Sequence, residues 1–185
     1  MVYPIVVYGS PILRKVAKEV DKDYPDLGQF IADLWETMYK SDGVGLAAPQ
    51  VGKSIRIFVI DTTELDENDP SLKDFKKTFI NPKMLINEGE LWTSNEGCLI
   101  LPKLREDVER KSKIRIQYYD ENWNLHEEEY EGVKARVIQH EYDHLEGILF
   151  IDLLSPLRKK LLKGKLNDIS KCKVDVDYKI KLLKN

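Results

Sequence analysis

A chain of 185 residues with 42% apolar content is sized for one domain with a buried core and needs no disulfide framework to hold it. Its formal charge of −3 gives no overall attraction to DNA or to an anionic membrane, and no apolar run approaches the ~18 residues that would span a bilayer. The charge is uneven, because from Pro156 to Asn185 ten Lys/Arg stand against three Asp/Glu, leaving a tail of +7 on a body of −10.

The start at Met1 lacks the basic and cleavage pattern of a signal peptide, which predicts a cytoplasmic protein with Cys98 and Cys172 as free thiols. A short turn is expected at Pro11 to Arg14. Leu27, Phe30, Ile31, Leu34 and Met38 recur at helical spacing, with Asp26 as the expected cap and Asp42-Gly43 as the stop. Ile55 to Ile60 reads as a buried strand, Thr63 to Lys77 as an exposed loop, and short strands are expected at Thr78 to Ile80, Met84 to Asn87 and Glu90 to Thr93.

From Val108 to Tyr119 the pattern alternates, with Ile114, Ile116 and Tyr118 on one face, and the polar stretch Asp120 to Asn124 leads to a second run near Tyr130. That predicts a hairpin. Gly132 releases a helix that Gly147 closes, in which Val133, Val137, Ile138 and Tyr142 surround two histidines and turn them inward. After Ser155-Pro156 a basic amphipathic helix is expected, with Leu157, Leu161 and Leu162 packing back. Strands first and a late central helix predict an α+β fold: a single domain over 1–185 with mixed or antiparallel sheets around that helix, and residues 156–185 as a basic C-terminal extension packed on the core or trailing from it.

The histidines fall in Gln139-His140-Glu141-Tyr142-Asp143-His144, an H-E-x-x-H stretch. On a helix, side chains four apart share a face with Cβ atoms roughly 5–6 Å apart, so His140 and His144 can reach one ion while Glu141 stands beside it as a base. A catalytic site of this kind takes three protein ligands and keeps one position open. The longer metalloprotease pattern would place its third ligand at Phe150, which cannot bind a metal. His126, in an acidic stretch, reads as a solvated strand residue. Cys98, in Asn95-Glu96-Gly97-Cys98-Leu99, offers a thiolate beside a glycine that admits close approach, although a buried apolar cysteine is the alternative.

A third segment is Gly43-Val44-Gly45-Leu46-Ala47-Ala48-Pro49-Gln50, a small-residue loop with one polar side chain. In this order and spacing, Gly43 to Gln50, Glu96 to Leu99 and Gln139 to His144 resemble the three signature segments of the peptide deformylase family, and the resemblance covers nearly the whole chain. One departure is Ile100, where the family usually has serine.

The resemblance implies a hydrolase that removes the formyl group from the N-terminal formylmethionine of nascent polypeptides and releases formate. It implies one divalent ion held by Cys98, His140 and His144, with Fe2+ expected in cells and Zn2+, Ni2+ or Co2+ tolerated in purified protein. Glu141 would be the general acid and base, and the Gln50 amide with the Leu99 backbone N–H would receive the oxyanion. The peptide would pair as a strand with Val44, Gly45 and Gly97, its methionine entering a pocket near Val133 and Val137. Acetyl groups would be rejected by size. Glu96, Asp143, Arg105 and Arg110 are candidates to orient the ligands. A ribosomal RNA contact through the basic tail is the further expectation. The competing readings are an H-E-x-x-H peptidase of internal bonds and a non-catalytic, metal-binding ribosome-associated protein.

Overall fold

The computed structural model describes residues 1–65 and 69–184. In chain order the elements are β1 (Ile5–Val6), α1 (Leu27–Lys40), β2 (Gly45–Ala47), β3 (Ile57–Asp61), β4 (Lys76–Cys98), β5 (Leu101–Tyr119), β6 (Leu125–Glu131), α2 (Gly132–Leu145), α3 (Pro156–Ile169) and β7 (Ile180–Lys181). Strands β2 to β6 form one sheet in sequence order, every neighbouring pair antiparallel. Strands β1 and β7 pair in parallel as a second small sheet. The fold is α+β.

Strand β5 carries the organising pattern. From Leu104 to Arg110 each even residue is buried and each odd one exposed, as a strand with one covered face requires. That face continues through Ile114, Ile116 and Tyr118, which pack with Phe58, Phe79 and the α2 residues Ala135, Ile138 and Leu145. The Phe58 and Phe79 rings stack at 4.6 Å, and Tyr118 lies 4.3 Å from Phe79. Burying each such ring or aliphatic side chain contributes ~1.5–3 kcal/mol, which fixes α2 on the sheet. The second cluster joins α1, through Phe30, Ile31, Leu34 and Met38, to Val6, Leu46, Ile57, Ile100 and Leu101.

The covered face of β5 also holds two charges, and both are paired. Glu106 receives Arg158 of α3 at 2.5 and 2.9 Å, and Arg110 reaches across to β4 and α2. Inward charges survive burial only when matched in this way.

Several expectations change. The three short strands between Thr78 and Thr93 are parts of β4, a single 23-residue strand whose pairing with β5 shifts register after Ile80, Met84, Glu88 and Gly97; Pro82 and Gly89 interrupt the pattern without ending the ladder. Thr63 to Lys77 is not simply an exposed loop, because a 3-10 turn at Pro70–Leu72 buries Leu72, Phe75 is buried too, and β4 has begun by Lys76; the part of that expectation at residues 66–68 lies outside the described residues, as does Asn185 of the tail. Asp26 sits at the start of α1 in a left-handed conformation and makes no capping hydrogen bond. On α3, Leu162 and Ile169 are buried and Leu166 packs beside them, whereas Leu157 and Leu161 are exposed. The helix carries two apolar stripes, and the core takes the later one.

Candidate metal centre

Helix α2 presents Arg136, His140 and His144 one turn apart, all buried or nearly so, on the face that meets the turn between β4 and β5. Cys98 is the last residue of β4 and pairs with Leu101 across a two-residue turn of Leu99 and Ile100. This brings the Cys98 Sγ to 3.2 Å from His144 Nε2. One donor atom from each of Cys98, His140 and His144 lies within 4.8 Å of the others. The two rings meet edge to face at 5.1 Å.

The donor chemistry fits a divalent transition ion. His140 Nδ1 is engaged by Glu96 Oε2 at 2.8 Å, which leaves Nε2 free to ligate and fixes the tautomer. One thiolate and two imidazoles suit iron, cobalt, nickel or zinc. The set also leaves room for an open position.

Glu96 is the hub behind the cluster. Its buried carboxylate accepts Arg110 Nε at 2.7 Å and Nη2 at 3.1 Å, Arg136 Nη1 at 2.6 Å, and the His140 ring. Arg110 extends the chain to Asp143 at 2.7 Å, and Arg136 lies 4.0 Å over the Trp92 ring. Burial alone would raise the Glu96 carboxyl, but the hydrogen bonds from His140 and Arg110 outweigh it and hold it well below the ordinary carboxylate range. The same partners separate the imidazoles. Burial disfavours charge on both, yet Cys98 and Glu96 push His140 well up, while burial, reinforced by His140 and Arg110, pushes His144 well down.

Glu141 is buried between these groups and the small-residue loop. Burial pushes its carboxyl up to about 7, and its Oε2 has no hydrogen-bond partner among the described residues. A Cβ built on Gly45 would stand 2.6 Å from Glu141 Oε1 and 2.7 Å from its Cγ, so a residue without a side chain is required there. Gln50 is buried as well. Its Oε1 accepts the Ala47 N–H at 2.6 Å, and its Nε2 donates to Cys98 Sγ at 3.4 Å.

A cavity of about 630 Å³ opens over the cluster. Val44, Gly45, Gln50, Gly97, Cys98, Leu99, Val133, Val137, His140 and Glu141 all line it, while His144 sits behind. Of the candidate orienting residues, Glu96, Arg110 and Asp143 form the hub, and Arg105 instead holds Asn95 at the exposed rim. His126 stacks on Tyr118 at 5.2 Å and meets Asp120 at 2.8 Å, away from the cluster. Ile100 is fully buried among core side chains, which accounts for an apolar residue at that place.

Two residues were missed. Arg136 precedes His140 by four residues, so the spacing that pairs the histidines also points to it. Tyr178, from the C-terminal arm, lines the cavity and donates its hydroxyl to the Leu99 carbonyl at 2.8 Å. Burial, then the nearby Cys98 charge, pushes that phenol up to about 12. No local pattern marks it.

Residues 2–160 match the family model described as polypeptide deformylase. The chain is 54% identical to a peptide deformylase of Christiangramia forsetii over 98% of this chain and 96% of that one. It is 53% identical to one of Flavobacterium psychrophilum, over 99% and 98%. Among solved structures, the peptide deformylase of Thermus thermophilus superposes with a TM-score of 0.81 at 41% identity, covering 92% of this chain and 99% of that one. That of Thermotoga maritima gives 0.75 at 44%, covering 84% and 99%.

Proposed function

The chain belongs to the polypeptide deformylase family, hydrolases that remove the formyl group from the N-termini of nascent polypeptides, and from that premise we propose how its own residues divide the work. Cys98, His140 and His144 hold the single divalent ion of the family, ferrous in cells, with zinc, nickel or cobalt able to replace it after purification. When bound, the ion supplies the Lewis acidity that makes water nucleophilic near neutral pH. The observation that supports this most is the convergence of the three donors beside a buried carboxyl with a free oxygen.

Glu141 takes a proton from the attacking water and delivers it to the departing amine, a role suited to a carboxyl held near 7. The Gln50 amide, oriented by Ala47, and the Leu99 N–H receive the charge that develops on the formyl oxygen. The substrate lies along the free edge of β2 at Val44 and Gly45, with Gly97 on the opposite wall, so its backbone gives affinity without reading its sequence. Val133 and Val137, both facing the cavity, flank the methionine side chain.

The chain works as a single domain in the cytoplasm, with residues 156–184 closing on the body through α3 and β7. Arg158 is committed to Glu106, so a ribosomal RNA contact falls to the remaining lysines of α3 and should weaken steeply with salt; salt-independent ribosome binding, or none, removes it.

Formate release from a formylmethionyl peptide tests the chemistry. The protein purified without air and loaded with Fe2+ should release formate, leave an internal peptide bond intact, and lose at least about 100-fold in kcat when Glu141 is replaced by alanine while keeping its metal. Activity that survives Glu141→Ala ends the assignment of that residue.

A further inference from the structure

We infer that Tyr178, on a C-terminal arm beyond the region matched to the family model, is a positioning residue that holds the Leu99 turn at the wall of the substrate cleft. Leu99 and Ile100 are the two residues that link β4 to β5 directly after Cys98. Both of their carbonyls are held from outside the hairpin. Tyr178 Oη donates to the Leu99 carbonyl at 2.8 Å, and the Tyr8 N–H donates to the Ile100 carbonyl at 3.0 Å.

The two holding segments are themselves tied together. Ile5 N–H donates to the Lys179 carbonyl at 2.8 Å and Val7 N–H to Lys181 at 3.0 Å, with Ile5 opposite Ile180 and Val6 opposite Lys181. Leu183 N–H then reaches Ser10 Oγ at 3.0 Å, and Leu182 and Leu183 pack against the core. Tyr178 is therefore one residue from a pinned backbone, and its hydroxyl is presented in a fixed place. On the other side the Leu99 side chain abuts the small-residue loop, its Cδ1 being 3.2 Å from where a Gly43 Cβ would stand.

A donor for a developing charge works only if it is already in place, because reorganisation during the reaction forfeits the gain. A carbonyl fixed at Leu99 restrains the ψ torsion that relates it to the Leu99 N–H, and so narrows the directions in which that N–H can point. The phenol ring also forms part of the cavity lining beside Leu99 and Cys98, which makes the arm part of the cleft and not an appendage. This inference rests on the reading of the Leu99 N–H as an oxyanion donor.

Tyr178→Phe removes the hydroxyl and keeps the ring. Steady-state formate release from a formylmethionyl peptide, metal content, melting temperature and amide hydrogen exchange would be measured on the Fe2+-loaded full chain, with Gln50→Ala in parallel. The expected result is unchanged metal, a melting temperature lower by no more than about 6 °C, kcat lower by about three- to tenfold with KM within about twofold, as for one neutral hydrogen bond, and faster exchange of the amides from Leu99 to Leu101. If Tyr178→Phe leaves kcat and exchange unchanged while Gln50→Ala loses about 100-fold, the positioning role is overturned and the oxyanion reading stands. If KM alone rises, Tyr178 is a binding residue of the cleft wall and positioning is again overturned. If Gln50→Ala loses nothing, the oxyanion reading falls on that variant alone, and the present inference falls with it.

Discussion

Replacing Glu96 by glutamine should damage the protein in two separable ways, and the structure sets the size of each. The carboxylate is 6% exposed and accepts four hydrogen bonds, three from the guanidiniums of Arg110 and Arg136 and one from His140. Glutamine keeps the shape and one acceptor oxygen, but it removes the charge and turns an NH2 toward at least one guanidinium. Asp143 remains to balance Arg110, whereas Arg136 is left beside only the Val108 and Trp92 carbonyls and the Trp92 ring. Breaking a buried pair from one side costs about 3–5 kcal/mol, which in a domain of this size lowers the melting temperature by about 6–20 °C.

The second effect is on the ion. Without the carboxylate, His140 loses the partner that fixes its tautomer and ring angle, and removal of such a partner lowers metal affinity about 10- to 100-fold. Thermal melts of the metal-free protein isolate the first effect, and competitive metal titration measures the second. A Glu96→Gln protein that melts within 2–3 °C of the parent, about 1 kcal/mol on the same scale, and binds its ion with the same affinity would refute the hub described here.

Gly45→Ala places a methyl against Glu141 and should reduce kcat by about 100-fold through a displaced carboxyl, with a modest stability loss of about 1–3 kcal/mol; full activity together with a normal melt would mean the contact is slack. Glu128 provides a pH prediction. Burial would raise its carboxyl, but hydrogen bonds from Lys77, Tyr118 and Tyr130 outweigh that and hold it at about 2, below the ordinary 4.5 of a glutamate. A depressed value contributes stability fully above about pH 4.5 that is lost as the pH falls toward 2, so denaturant midpoints should decline across that window and Glu128→Gln should flatten the decline. An identical slope in the variant would show that the cluster does not sense acid.

What could be read beforehand divides by the range of the interaction. The H-E-x-x-H face follows from helical periodicity alone, and α2 delivers it. The β5 alternation was seen only where the inward residues are apolar, because Glu106 and Arg110 disguise the same period further up the strand. Strand β4 looked like three pieces, since Pro82 and Gly89 mimic turn signals and nothing local reports that the ladder continues through bulges. Which stripe of α3 is buried depends on where Arg158 finds Glu106, a pairing across 52 residues. Arg136, four residues before His140, is legible from the same helical spacing. Tyr178 was not legible, because its partner is 79 residues away.

The position of Cys98 at a hairpin turn bears on how the centre is assembled. Loops closed from that turn are the shortest available to the two strands, so the entropic cost of pairing is least there and zippering should start from it. His144, 46 residues further along, joins only once α2 docks. Between these events the sulfur stands ready while its imidazole partners are missing, an interval in which peroxide meets a thiol more open than the half-buried one at the cavity wall of the finished protein. Refolding with a timed pulse of oxidant should show damage at residue 98 fastest in the period before helix docking, and an ion supplied from the outset should lessen it.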